Sequence, residues 1–253
     1  SSPAKTGVVK KNAPPVAVIK TTAAAPVTVT TKTATAPKTA TAPKNELAVS
    51  KNARIPKSVE SSTTFSTTQR SAANTGSDAA YLSPEEKKVL LLVNLARTDG
   101  AAFCKEYVDK FIRSNAAFQN NAYAQSLYND LKKVKGLPPL RPNMKLCNSA
   151  RAHAQDIGQK GMKGHQSSNG MKFDTRVARY VGSYRGLGEN ISYGTNHSSA
   201  VPIVLELLID NNNKDYGHRR NILSPSFESI GLSIQPHTKY GYTCVQDFGA
   251  GIE

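Results

Sequence analysis

Two histidines, His165 and His218, and three acids, Glu189, Glu206 and Asp210, stand in short polar stretches in the C-terminal half of this 253-residue sequence. His218 belongs to Tyr216-Gly217-His218-Arg219-Arg220-Asn221-Ile222-Leu223-Ser224-Pro225, and Glu189 to Gly188-Glu189-Asn190-Ile191. Imidazole and carboxylate are the groups that hold a divalent metal or move a proton near neutrality. Two neutral imidazoles with one or two carboxylates suit zinc and leave room for a water. A carboxylate that is not itself a ligand would fix an imidazole's tautomer or accept a proton. The competing reading is structural: Glu189 accepts backbone N–H bonds and pairs with Arg219 or Arg220, while Asn221-Ile222-Leu223 packs and caps. No serine, cysteine or lysine lies in a recognised nucleophile motif.

These residues need elements to position them. Ser83-Pro84-Glu85-Glu86 is a capping box with proline at the first helical position, ahead of the apolar run 89–96. Asp99-Gly100 ends or breaks that helix, and further helices are predicted over 101–112 and 126–134. Asn143 or Asn148 caps the next one, which runs to about Lys160 and buries Leu146, Ala150, Ala154 and Ile157. His153 lies beside that face and reads as a packed, hydrogen-bonded histidine. Residues 161–188 are polar and glycine-rich and give no regular pattern. Residues 190–193 read as a short strand. Ser198 or Ser199 caps a helix over 201–211, on which Glu206 and Asp210 stand four apart and share a face. Ile230, Leu232 and Ile234 alternate with smaller and polar residues, and a turn at 236–241 returns the chain as a partner strand over 242–248. Helices first and a hairpin last give an α+β domain with helices packed on an antiparallel sheet.

Composition divides the chain. Residues 1–80 hold one leucine and one aromatic, Phe65, with the repeat Thr-Ala-Thr-Ala-Pro-Lys over 33–44. Such a segment buries too little apolar area to offset its ordering entropy, so 1–80 is expected to be a disordered Thr/Ala/Pro/Lys-rich tail before a domain over 81–253. The net charge of +15 splits as +8 on the tail, from eleven Lys/Arg and three Asp/Glu, and +7 on the rest. Basic charge favours anionic partners such as wall polymers, acidic glycans or anionic lipid, and no specific nucleic-acid motif is present. Cys104, Cys147 and Cys244 lack zinc-finger or CxxC spacing. Cys244 reads as a buried small hydrophobe, and a Cys104–Cys147 bridge stays open. No apolar run reaches membrane-spanning length, and the chain begins without a signal peptide. The tail is more like an exported spacer than a cytosolic one.

In this order the motifs resemble the CAP superfamily (cysteine-rich secretory, antigen 5 and pathogenesis-related 1 proteins), also called SCP-like. The residues that carry the resemblance are Val93-Asn94-Leu95-Ala96-Arg97, the segment 150–156 before His165, Gly188-Glu189-Asn190-Ile191, Gly217-His218-Arg219-Arg220-Asn221-Ile222-Leu223, the segment 227–231, and Val245-Gln246-Asp247-Phe248-Gly249. The Gly-His-Arg-Arg-Asn-Ile-Leu form is similar to the bacterial branch. The resemblance implies an α-β-α sandwich with a small antiparallel sheet between helical layers. It implies a groove holding His165, Glu189, His218 and a second acid, with His165 and His218 as metal ligands, zinc being the metal considered. Asp210 best matches the second acid, and Glu206 is the runner-up. The expected function is an exported, monomeric binding or interaction module, secreted or wall-associated. Its ligand would be a small apolar molecule such as a sterol or lipid, or a cell-wall glycan. The alternative is a metal-dependent hydrolase acting on peptide or glycan bonds.

Overall fold

The computed structural model describes residues 64–252. Its helices are α1 (Thr67–Ala73), α2 (Pro84–Thr98), α3 (Gly100–Phe103), α4 (Asp109–Ser114), α5 (Ala122–Leu131), α6 (Met144–Lys160), α7 (Phe173–Val181), α8 (Ala200–Ile209) and α9 (Gly217–Ile222), with a π segment, Cys104–Val108, joining α3 to α4. The strands are β1 (Arg141–Pro142), β2 (Gly186–Gly194), β3 (Ser229–His237) and β4 (Gly241–Ala250), in the sheet order β1-β3-β4-β2.

Local chemistry starts α2 as the sequence predicts. The Ser83 hydroxyl accepts from the Glu86 N–H, and the Glu86 carboxylate takes the Ser83 N–H. The other Glu86 oxygen accepts from the N–H of Ile234, so the cap also docks α2 on β3. Val89, Leu90, Val93 and Leu95 are all fully buried, as their near-continuous apolar run requires. Each such side chain contributes about 1.5–3 kcal/mol by leaving water.

Alternation along the strands sorts the two faces of the sheet. Ile230 and Leu232 of β3, with Cys244 and Phe248 of β4, join α2 and α8 in the larger core. On the other face, Ile191 and Tyr193 of β2 and Val245 of β4 pack on Ala150, Ala154 and Ile157 of α6. Leu187 of β2 meets Leu146, Phe173, Val177 and Val181, which brings α7 against the same layer. Helix α6 approaches β3 so closely that a Cβ at Gly231 would run into the backbone of Leu146 and Cys147. The result is an α-β-α sandwich. β2–β4 and β3–β4 are antiparallel, and the two-residue β1 adds a parallel edge beside β3, which makes the sheet mixed.

Several boundaries move. The described fold begins before residue 81: Phe65, in the segment expected to be disordered, is fully buried, and α1 follows it behind a Ser66–Gln69 capping box. Asn94 ties this piece to the core by donating to Ala73 O and Leu140 O. The Thr-Ala-Thr-Ala-Pro-Lys repeat lies outside the described residues. The stretch 161–188, which showed no pattern, contains α7. The helix expected over 126–134 starts earlier, because Asn121 rather than a later residue caps it. Cys104, Cys147 and Cys244 are buried free thiols, so Cys104 and Cys147 are not bridged.

Candidate functional site

Asp210 ends α8 in a left-handed conformation, φ 57° and ψ 44°. That turn carries its carboxylate back to the start of α9. One oxygen accepts from the N–H groups of His218 at 2.8 Å and Arg219 at 3.3 Å, and the other lies 2.6 Å from His218 Nδ1. Asn213 donates to the same carboxylate at 3.1 Å. A carboxylate here satisfies amides that the first turn of α9 cannot pair internally. Arg219 holds the preceding turn. Its guanidinium donates to Leu208 O, Ile209 O and Tyr123 O, to the Ser126 hydroxyl and to Asp130. The Asp210–His218 pair is therefore fixed from both sides, and the buried Nε2 of His218 has no hydrogen-bond partner in the protein.

His165 sits in the α6–α7 loop with its Nδ1 2.7 Å from Glu189 Oε1. Arg176 of α7 donates to the other Glu189 oxygen and, at 2.9 Å, to His165 O, so one guanidinium clamps both members. Directly across the sheet, Asp247 pairs in register with Glu189, against Ser149 of α6. Burial raises the Glu189 carboxyl to about 7 although Arg176 opposes the shift. Burial, then the charge of Glu189, raises Asp247 well above the usual carboxylate range. One buried cation cannot neutralise two buried carboxylates, so Asp247 keeps a proton and Glu189 is the member paired with Arg176. His153 is fully buried, its Nε2 is 3.0 Å from Gly164 O, and burial followed by the charge of Arg176 pushes it down to about 3.

A pH test follows. The folded protein holds protons on the Glu189–Asp247 pair that the unfolded chain releases above about pH 4, where these acids normally titrate. The pair's contribution is therefore complete below that pH and is lost as pH rises through the raised folded values. His153 acts oppositely, because a neutral buried imidazole loses stability as pH falls below its ordinary 6.5. That contribution is common to wild type and Asp247→Asn and cancels in their difference. Chemical denaturation of both proteins from pH 5 to 8 should show the variant gaining on wild type. The gain is about 1.4 kcal/mol per pH unit wherever only the folded wild type retains the proton. A constant difference across that range would rule out the shared proton.

The two histidine–carboxylate pairs meet the same strand. Asn190, next to Glu189 but facing the other side of β2, donates to His218 O at 3.1 Å. Asn221 of α9 donates to Glu189 O at 3.3 Å and to the Asn190 side chain at 2.9 Å. Gly188 lets α9 approach, since a Cβ there would come within 2.8 Å of the Phe227 ring and 3.1 Å of Asn221 Oδ1. Asn221 is thus the packing residue the sequence implied. The four expected residues arrive as two pairs joined through β2. Among the described residues, no three His, Cys, Asp or Glu side chains gather as a metal-ligand set. Asp210, not Glu206, meets His218; Glu206 lies 3.1 Å from His197 Nε2 instead. The partner of Glu189 is Arg176, not Arg219 or Arg220, because α7 packs on its face of the sheet whereas Arg219 is turned toward α5. Sequence reading missed Arg176 and Asp247. For Asp247 a signal existed: it lies on the face of β4 that packs on α6, two residues from buried Val245.

Residues 125–248 match the family described as "CAP: Cysteine-rich secretory protein family". The Bacillus subtilis (strain 168) protein YkwD is 36% identical over 107 residues, which is 42% of this chain and 38% of that protein. The chain therefore spans well under half the length of that relative. Among solved structures, an extracellular protein containing an SCP domain from Bacillus anthracis str. Ames is 21% identical with a TM-score of 0.39, covering 67% of this chain and 44% of the other. An outer surface protein from Borrelia burgdorferi is 20% identical with a TM-score of 0.39, covering 51% of this chain and 88% of the other.

Proposed function

From a chain that carries a CAP domain of the bacterial type, we propose an exported binding module in which His165 and His218 hold a divalent cation, zinc being the best match. One observation carries this reading: each imidazole has its Nδ1 held by a carboxylate, at 2.7 Å for His165 and 2.6 Å for His218. A carboxylate on one ring nitrogen is the arrangement that orients a metal-binding histidine, because it leaves Nε2 as the ligand edge. The unpartnered, buried Nε2 of His218 is the atom such a cation would satisfy. No third side chain of ligand type joins them among the described residues, so water or the bound ligand would complete the coordination. Zinc there would supply a Lewis acid with open positions for a ligand's oxygen.

The same contacts favour binding over hydrolysis. Asp210 is committed to two backbone amides, Asn213 and His218, and Glu189 to Arg176 and His165. Neither carboxylate is placed to take a proton from an attacking water. The two pockets that flank α7 are lined by hydroxyl and charged side chains, including Ser167, Arg176, Asp174 and Thr175. That lining suits a wall glycan better than a sterol or lipid, and the net charge of +15 suits an anionic one. No described helix is long and apolar enough to cross a membrane.

Melting curves with and without zinc test the cation. Saturating zinc at 100-fold over its dissociation constant should add about 2.7 kcal/mol of stability. The effect should fade as pH drops through the ordinary imidazole value of roughly 6.5, since protonated imidazole cannot ligate. His218→Ala should abolish the shift, and Glu189→Gln should reduce it less. No zinc-dependent shift in wild type at neutral pH, or a full shift in His218→Ala, would remove the cation from this reading.

A further inference from the structure

We infer that the pocket between α6 and α7 is a binding subsite for the carboxylate-bearing sugar of an acidic glycan. The pocket encloses about 220 Å³ and runs from Asp156 of α6, past Ser167 and Ser168 of the intervening loop, to Arg176, Arg179 and Tyr180 of α7. Drug-sized ligands occupy roughly 300–1,000 Å³, so this space suits a single ring.

Arg176 supplies the main argument. It is 4% exposed, and its two terminal nitrogens are committed to Glu189, His165 O and the Ser167 hydroxyl. Its Nε–H is buried without a partner. An unsatisfied buried donor on a charged group is costly and uncommon, and an acceptor placed in the pocket satisfies it. Arg179, three residues along α7, is exposed and brings a second guanidinium to the mouth. A carboxylate is the planar acceptor that guanidinium groups match best.

The rest of the lining suits the remainder of a sugar. Asp156 accepts from the Ser168 N–H at 2.7 Å and from its hydroxyl, which leaves lone pairs for ligand hydroxyls. Tyr180 is 39% exposed and offers a ring face with a polar tip. A lipid chain would use none of these donors, and an inorganic anion would leave Tyr180 and the hydroxyls without a role. Because the other side of Arg176 holds Glu189 and His165, occupancy would be felt at that pair. This inference shares a hydrophilic ligand with the reading above but not its cation, so the test runs in a chelator and survives a negative zinc result.

The probe is D-glucuronate, titrated into the full chain labelled with ¹⁵N-arginine while the Arg176 and Arg179 Nε–H resonances are followed. A roughly millimolar dissociation constant is expected for one ring. D-glucose and acetate at equal concentration should bind at least tenfold more weakly. Arg179→Ala and Tyr180→Ala, both at exposed positions, should each weaken glucuronate about tenfold without moving the melting temperature. A polyuronate that displaces glucuronate at Arg176 identifies a polymer as the source, and one that does not assigns the pocket to the free sugar acid. No Arg176 shift at tens of millimolar glucuronate, an equal response to acetate, or unchanged affinity in both variants overturns the inference.

Discussion

Arg219→Ala should lower the stability of the domain by about 3–5 kcal/mol, the range for breaking a buried charge network from one side. Arg219 is 2% exposed, and its donors satisfy the last carbonyls of α8, the Tyr123 carbonyl and two side chains of α5. Its guanidinium also lies 4.3 Å from the centre of the Tyr216 ring. Asp130 is half exposed and can return to water, so the ion pair itself contributes little. The loss comes from three carbonyls left unpaired and from the cavity. Lysine should recover little, since an ammonium cannot reach the same set of carbonyls from one position. The functional consequence is local to the Asp210–His218 pair, because Arg219 fixes the turn that aims Asp210 at α9. Denaturant titration measures the stability. Loss of the downfield His218 Nδ1–H resonance, under conditions where the variant is still folded, reports the pair. A stability loss under about 1 kcal/mol, or an unchanged His218 resonance, would show that Arg219 does not hold this turn.

Much of this arrangement was legible because it is written locally. The Ser83–Glu86 cap, the alternation of Ile230, Leu232 and Ile234, and the run over α8 each report a short-range preference that tertiary packing then uses. The pairing of Asp210 with His218 spans eight residues and follows from one helix end meeting the next helix start. Helix α7 was hidden because its three buried apolar residues, Phe173, Val177 and Val181, are separated by arginines and threonine, and its N-cap Lys172 makes no side-chain cap. Helix α1 carried a readable signal, the Ser66–Gln69 box, beneath a composition that resembled the tail. Partner choice for Glu189 was beyond local reading. Arg176 and Asp247 reach it only after α7 packs on the sheet and β4 takes its place beside β2. The sequence therefore showed which residues matter more readily than which ones meet.

Arg176→Met should cost about 3–5 kcal/mol at pH 8 and less at pH 5. The substitution keeps much of the side-chain volume, so the loss reports the missing charge and hydrogen bonds more than a cavity. Without the guanidinium, Glu189 and Asp247 remain buried face to face with no cation, and both must be protonated to stay folded. In wild type, Arg176 limits the rise of Glu189 to about 7, against an ordinary 4.5. In the variant that folded value moves higher, while the unfolded value is unchanged. Both proteins therefore lose stability as pH climbs from about 4.5 to 7, and only the variant keeps losing it above 7, by about 1.4 kcal/mol per pH unit. Adding Glu189→Gln supplies the group that the variant lacks, a neutral side chain that needs no cation, so the double variant should be more stable at pH 8 than Arg176→Met alone. The double-mutant cycle then gives the coupling directly. Glucuronate should no longer bind either variant lacking Arg176, because the buried Nε–H is gone in both. A cost for Arg176→Met that stays constant from pH 5 to 9, with no recovery from Glu189→Gln, would mean that Arg176 merely fills space and that the pair is held by something else.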